Sequence, residues 1–203
     1  MLNEYAGSIE DIDEIRIRII EAIDRPIDEL SIRDICARAH ISKQTFYSRF
    51  SSKYDIANWF CARFEERTLN QIGRTLTWEE GVLAHFKTIA QQKEFLARTS
   101  LNGGKDRGEA TKARRRRAIV ETLTQCRGIT LNMRFRFLIE AYLEMEVFLC
   151  GEWFRSGFTP APEEFSSYYT GCVPGELYDL LELPKDERAI YESENEPFAR
   201  FYV

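Results

Sequence analysis

Ser31 and Ser42 each stand directly ahead of a short apolar stripe at helical spacing, and the sequence between the two stripes has room only for a tight turn. Ile32, Ile35, Cys36 and Ala39 form the first stripe; Phe46 and Phe50, four apart, form the second. A serine hydroxyl at such a position can accept from an N–H of the first helical turn, and Asp34 falls where a carboxylate favours a helix start. The spacing therefore predicts two short helices joined by a turn and lying against each other, and this pair constrains the rest of the chain.

The neighbouring segments are also helical. Ile12, Ile15, Ile19 and Ile23 recur at helical spacing in DIDEIRIRIIEAIDR until Pro26 stops the run. Ser52 with Asp55 is expected to open a fourth helix, with Ile56, Phe60 and Phe64 on its inner side. Segments 79–97, 110–126, 131–156 and 163–182 follow the helical period, and β-branched residues rarely alternate with polar ones. Breaks at NGGK (102–105), CRG (126–128), SGFTPAP (156–162) and GCVPG (171–175) carry the Gly and Pro that end helices. The expected fold is all-α: a head at 1–55, a larger helical body at 56–183 and an acidic C-terminal tail at 184–203, which either docks through Phe198, Phe201 and Tyr202 or stays mobile.

A chain of 203 residues with 44% hydrophobic content can bury a core. Its net charge of −5 excludes nucleic-acid binding through global charge, so any such contact needs a local patch. Residues 31–53 supply one, with Arg33, Arg38, Lys43, Arg49 and Lys53 against Asp34. Five scattered cysteines and two histidines give no metal-ligand spacing, so no metal or cofactor is expected. The acidic N-terminus does not resemble a signal peptide and no run is long enough to span a membrane, which points to the cytoplasm. No Gly-rich phosphate loop or nucleophile elbow is present, so an enzyme is not expected.

Two short helices of this size fit a helix-turn-helix, whose second helix enters the DNA major groove. With Ile41, Phe46 and Phe50 inward, Ser42, Lys43, Gln44, Thr45, Tyr47 and Ser48 lie on the outer side. Lys43 can reach a guanine acceptor or a phosphate, Gln44 can pair with adenine, and Thr45 can bond a base edge or touch a thymine methyl. Tyr47 and Lys53 are expected to grip phosphates, Lys53 beside the free N–H groups that open the fourth helix.

SIRDICARAHISKQTFYSRFSSKYDI resembles the DNA-binding head of the tetracycline-repressor (TetR) family through Ile35, Ala39, Ile41, Ser42, Thr45, Phe46, Tyr47, Phe50 and Lys53. It departs from that pattern at His40, where the turn commonly holds Gly; a left-handed backbone there would cost His about 1 kcal/mol. The resemblance covers roughly the first 60 residues. It implies a homodimeric repressor of double-stranded operator DNA, released by a small-molecule effector in the body. Implied effector contacts are His85, Phe86, Ile89, Phe95, Phe135, Tyr142 and Trp153. A dimer interface of the last two helices is implied at Phe148, Phe165, Tyr168, Tyr169 and Leu177; two recognition helices must sit about 34 Å apart to read one face of DNA. The competing reading keeps the head and makes the body a protein-binding module, so that the chain acts as an activator or co-regulator.

Two further features bear on the body. The segment 131–154 carries one apolar stripe through Phe135, Leu138, Ile139, Tyr142, Leu149 and Trp153 and another through Phe137, Ala141 and Phe148, as expected of a central or interfacial helix. Glu140, Glu144 and Glu146 on the same segment are expected to be mostly exposed. The run ARRRR at 113–117, with Lys105, Arg107 and Lys112, reads as a solvated loop and helix start paired with the acidic stretch after Glu176.

Overall fold

The computed structural model describes residues 14–99 and 104–182. Among these there is no β-strand, only an isolated bridge between Ile72 and Leu76. Ile12, the tail at 184–203 with Phe198, Phe201 and Tyr202, and Asn102 and Gly103 of the NGGK break lie outside the described residues.

The head is built by local rules. Helix α1 (Glu14–Glu21) presents Ile19 and Ile20 to the core, and Pro26 starts a 3-10 turn at Ile27–Glu29. Helix α2 (Ile32–Arg38) opens on a capping box: the Asp34 N–H donates to the Ser31 hydroxyl at 3.1 Å, and the Ser31 N–H donates back to the Asp34 carboxylate at 3.0 Å. It ends with His40 at φ +53°, where the His40 N–H donates to the Ala37 carbonyl and the Ile41 N–H to that of Cys36. This pair of bonds is a Schellman cap, with histidine in the left-handed position usually held by glycine. Helix α3 (Lys43–Tyr47) is capped by Ser42, whose hydroxyl accepts the Thr45 N–H at 3.0 Å. Phe46 and Phe50 are buried, although Phe50 lies beyond the helix end.

Helix α4 (Asp55–Arg67) joins head to body, and the boundary expected at 55/56 falls at its start. Its opening differs from expectation: Tyr54 is the flanking residue, and the Asp55 carboxylate reaches back to accept the Ser52 N–H at 2.8 Å. Trp59 meets Phe50 of the head edge-on, while Phe60 packs on Phe95 with ring centres 4.5 Å apart. The Arg98 guanidinium adds a second joint by donating to the Ile23 carbonyl at 3.1 Å.

The body continues with a 3-10 turn at Leu69–Gln71, then α5 (Trp78–Gln91), α6 (Lys93–Thr99), α7 (Gly104–Glu121) running into a π turn at Thr122–Cys126, α8 (Met133–Arg155), α9 (Pro162–Gly171) and α10 (Gly175–Leu181). Helix α5 packs along α9, and α7 along α8. Trp78, Phe86, Tyr142, Trp153, Phe165 and Tyr169 fill the centre as one aromatic cluster. Each such side chain removed from water stabilises the fold by about 1.5–3 kcal/mol. Among the described residues, no helix is long and apolar enough to cross a membrane.

The ARRRR run is corrected by the structure: it lies in the middle of α7, and its partners are carboxylates of α4 and α8. Arg114 pairs with Glu65, Arg115 with Glu146 and Arg116 with Glu140. Glu140 and Glu144 are exposed, as expected of most of these glutamates, whereas Glu146 is buried together with Arg115. A helix with a basic residue on nearly every face needs acidic neighbours on more than one side, and the two flanking helices provide them.

Candidate nucleic-acid interface

The outer surface of α3 brings together most of the residues expected to touch DNA. Lys43, Gln44, Tyr47 and Ser48 are exposed, and Tyr47 stands 54% accessible with its ring edge-on to buried Phe46. One residue step, about 100° around the helix, separates an anchoring ring from a presented one. The side chains of Lys43 and Gln44 have no partner among the described residues, so both are available to a ligand.

The hydroxyls of this stretch are engaged in the fold. Ser42 Oγ and Thr45 Oγ1 share a hydrogen bond at 2.8 Å, and the Ser48 hydroxyl donates to the Thr45 carbonyl at 2.7 Å. Thr45 is also half-buried.

Lys53 differs most from expectation. Its ammonium donates to the carbonyls of Ile27, Asp28 and Leu30 at 2.7, 3.3 and 2.8 Å. An ammonium has three protons, and three acceptors account for them. Lys53 therefore ties the start of α4 to the 3-10 turn that precedes α2, and it positions the head instead of projecting from it. The adjacent Tyr54 hydroxyl donates to Asp28 at 2.9 Å, and that carboxylate holds the phenol's pKa up. Sequence gave no sign of this cluster, because Lys53 and the turn it caps are remote in the chain.

The basic patch is partly compensated. Arg38 pairs with Asp24, and hydrogen bonds from Arg25 and then Arg38 hold the Asp24 carboxyl below the usual carboxylate range. Asp34 is held low by its bonds with Ser31. Arg33 and Lys43 remain exposed on the same head.

The expected effector contacts behave as core. His85, Phe86, Ile89, Phe95, Tyr142 and Trp153 are buried and fill one another's space, and Phe135 is half-buried at the start of α8. The His85 Nδ1 lies 3.1 Å from the Thr68 hydroxyl, whose own proton goes to the Phe64 carbonyl at 2.6 Å, so Nδ1 carries the donated hydrogen. Burial, helped by the Arg115 charge, pushes the His85 pKa down to about 3. Tyr142 belongs to a closed ring of hydrogen bonds: Arg115 donates to Tyr142 at 3.1 Å, Tyr142 to Tyr169 at 2.6 Å, Tyr169 to Glu146 at 2.9 Å, and Arg115 to Glu146 at 3.1 Å. Burial opposes the Arg115 charge, yet Glu146 and the two phenols outweigh it and hold the guanidinium protonated.

The expected dimer contacts divide. Phe165, Tyr169 and Leu177 are buried within their own chain. Phe148 and Tyr168 are exposed, and Phe137 and Met133 on α8 join them as large apolar groups in solvent. The second stripe read from the sequence, Phe137, Ala141 and Phe148, is thus the outward face of α8.

Residues 21–58 match the family of bacterial regulatory proteins, tetR family. A comparison with curated proteins found no match.

Proposed function

Residues 21–58 make this chain a DNA-binding transcriptional regulator of the TetR family, and from that premise we propose that it acts as a homodimeric repressor of operator DNA, released when a small-molecule effector binds the body. The observation that carries the reading is the outer face of α3, where Lys43, Gln44 and Tyr47 are exposed on a helix anchored by Phe46. Gln44 suits adenine recognition, Lys43 a guanine acceptor or phosphate, and Tyr47 a phosphate. Lys53 supports them indirectly by fixing the head.

The exposed stripe Phe137, Ala141 and Phe148 of α8, with Tyr168 of α9, supports a two-fold interface of one protomer with its partner. A dimer also suits groove geometry, since two recognition helices about 34 Å apart reach successive major-groove faces.

A second reading is favoured by one observation: the residues expected to line an effector cavity fill the core instead. In it the body answers to a protein partner, and the chain acts as an activator or co-regulator.

Selection of fragments from the source genome by the purified chain tests the DNA reading. Recovery of a common, two-fold-related sequence supports it, and uniform recovery of all fragments counts against it. Light scattering at micromolar concentration tests the dimer, and a monomer there contradicts it.

A further inference from the structure

Helices α4 and α7 pack side by side, and each places an alanine, Ala62 and Ala118, on the space between them. Two methyl groups leave that space unfilled, and a groove of about 290 Å³ opens there. A water occupies about 30 Å³ of liquid, so the groove has room for roughly ten non-hydrogen atoms.

Its walls carry three arginines, Arg74, Arg114 and Arg117, and three glutamates, Glu65, Glu66 and Glu121. The charges are not balanced once their partners are assigned. Arg114 spends two nitrogens on Glu65, at 3.1 and 3.0 Å. Glu66 is paired from outside the groove by Arg63 at 3.1 Å. Glu121 approaches Arg74 only to 3.4 Å and its carboxylate is partly open to solvent. Arg117 is exposed and has no partner among the described residues.

Arg74 is held ready by other contacts. Its Nε donates to the Thr122 hydroxyl at 2.8 Å and a terminal nitrogen donates to the Ala118 carbonyl at 3.3 Å. Thr122 begins the π turn at Thr122–Cys126, an irregularity that recurs at functional sites and here directs a hydroxyl onto this guanidinium. The groove therefore offers one uncompensated cation and one positioned cation whose carboxylate partner is easily displaced.

We propose that this groove binds a small organic acid, with its carboxylate held by Arg117 and Arg74 and a remaining acceptor group against the side-chain N–H groups of Asn70, whose oxygen is taken by Arg115. Guanidinium and carboxylate match as planar, two-pronged partners. An occupant bridges α4, which carries the head, to α7; the groove is then the effector site of the regulator, and in that respect the proposal rests on the reading above.

The test is thermal unfolding of the full chain with millimolar benzoate, succinate or inorganic phosphate, each against chloride of matched ionic strength. At least one carboxylate raises the wild-type midpoint, Arg117→Gln weakens its apparent affinity about tenfold, and Ala62→Leu, which fills the groove and keeps its charges, removes the shift. A shift with phosphate alone, no shift with either carboxylate, or equal shifts in all three proteins overturns the proposal. DNA binding is read on the same samples. A chain that binds DNA and ignores the acids loses only the groove assignment, and one that binds an acid at the groove but no DNA loses only the regulator reading.

Discussion

Arg114 of α7 holds both carboxylate oxygens of Glu65 of α4, at 3.0 and 3.1 Å, and so ties the helix that carries the DNA-binding head to the body. Burial pushes the Glu65 carboxyl up, and Arg114 works against that shift. Removing the arginine alone strands a buried carboxylate. Arg114→Leu is therefore expected to cost about 3 kcal/mol in urea unfolding, and adding Glu65→Leu should restore part of the loss. Losses that simply add would show that the two groups do not interact.

Protonation of His85 sets a second expectation. Above pH 6.5 the histidine is neutral in folded and unfolded chains alike; below it the unfolded chain takes up a proton that the folded chain refuses until about pH 3. A depressed folded-state pKa means stability is lost as pH falls, by up to about 1.4 kcal/mol per pH unit across that window. Denaturant midpoints of wild type and His85→Asn, compared from pH 7 to pH 4, should diverge with the wild type falling faster. Parallel curves would contradict a neutral, buried imidazole.

At His40 the backbone is left-handed, with φ +53°. Glycine adopts that conformation without the Cβ clash, though it gives up more freedom on folding. His40→Gly is expected to raise stability by about 0.5–1 kcal/mol, and His40→Val to lower it by more than 1 kcal/mol, since a β-branched residue tolerates the region least. Thermal midpoints of the two variants, moving in opposite directions, check this.

Lys53 should behave as part of the head's framework. Lys53→Met removes the donors to Ile27, Asp28 and Leu30 and is expected to destabilise the head by about 1–3 kcal/mol. Amide hydrogen exchange should speed up in residues 27–35 of the variant. Unchanged exchange, together with weaker DNA binding, would return Lys53 to a direct phosphate role.

Features set by neighbours in sequence were legible before the structure. Ser31, Asp34 and Ser42 cap the helices they precede, and the left-handed turn falls at His40, because caps and turns depend on a few adjacent residues. The outward Tyr47 and inward Phe46 follow from helical rotation alone. What depends on distant segments was not legible. The arginines of α7 looked solvated because their carboxylates lie on α4 and α8, and Lys53 looked free because its acceptors are carbonyls, which every residue has. Phe165 and Tyr169 could serve a core or an interface equally well by composition, and only the packing of α9 on α5 and α8 assigns them to the core.

Whether α3 reads DNA is decided by the affinity of wild type, Gln44→Ala and Tyr47→Ala for a selected fragment and its single-base variants at one fixed salt concentration. Tyr47→Ala should weaken binding to every sequence alike. Gln44→Ala should lose about 1–3 kcal/mol of discrimination at one base pair and leave binding to the other variants little changed. Folded variants that bind every fragment as the wild type does would contradict the assignment of α3 as the recognition helix.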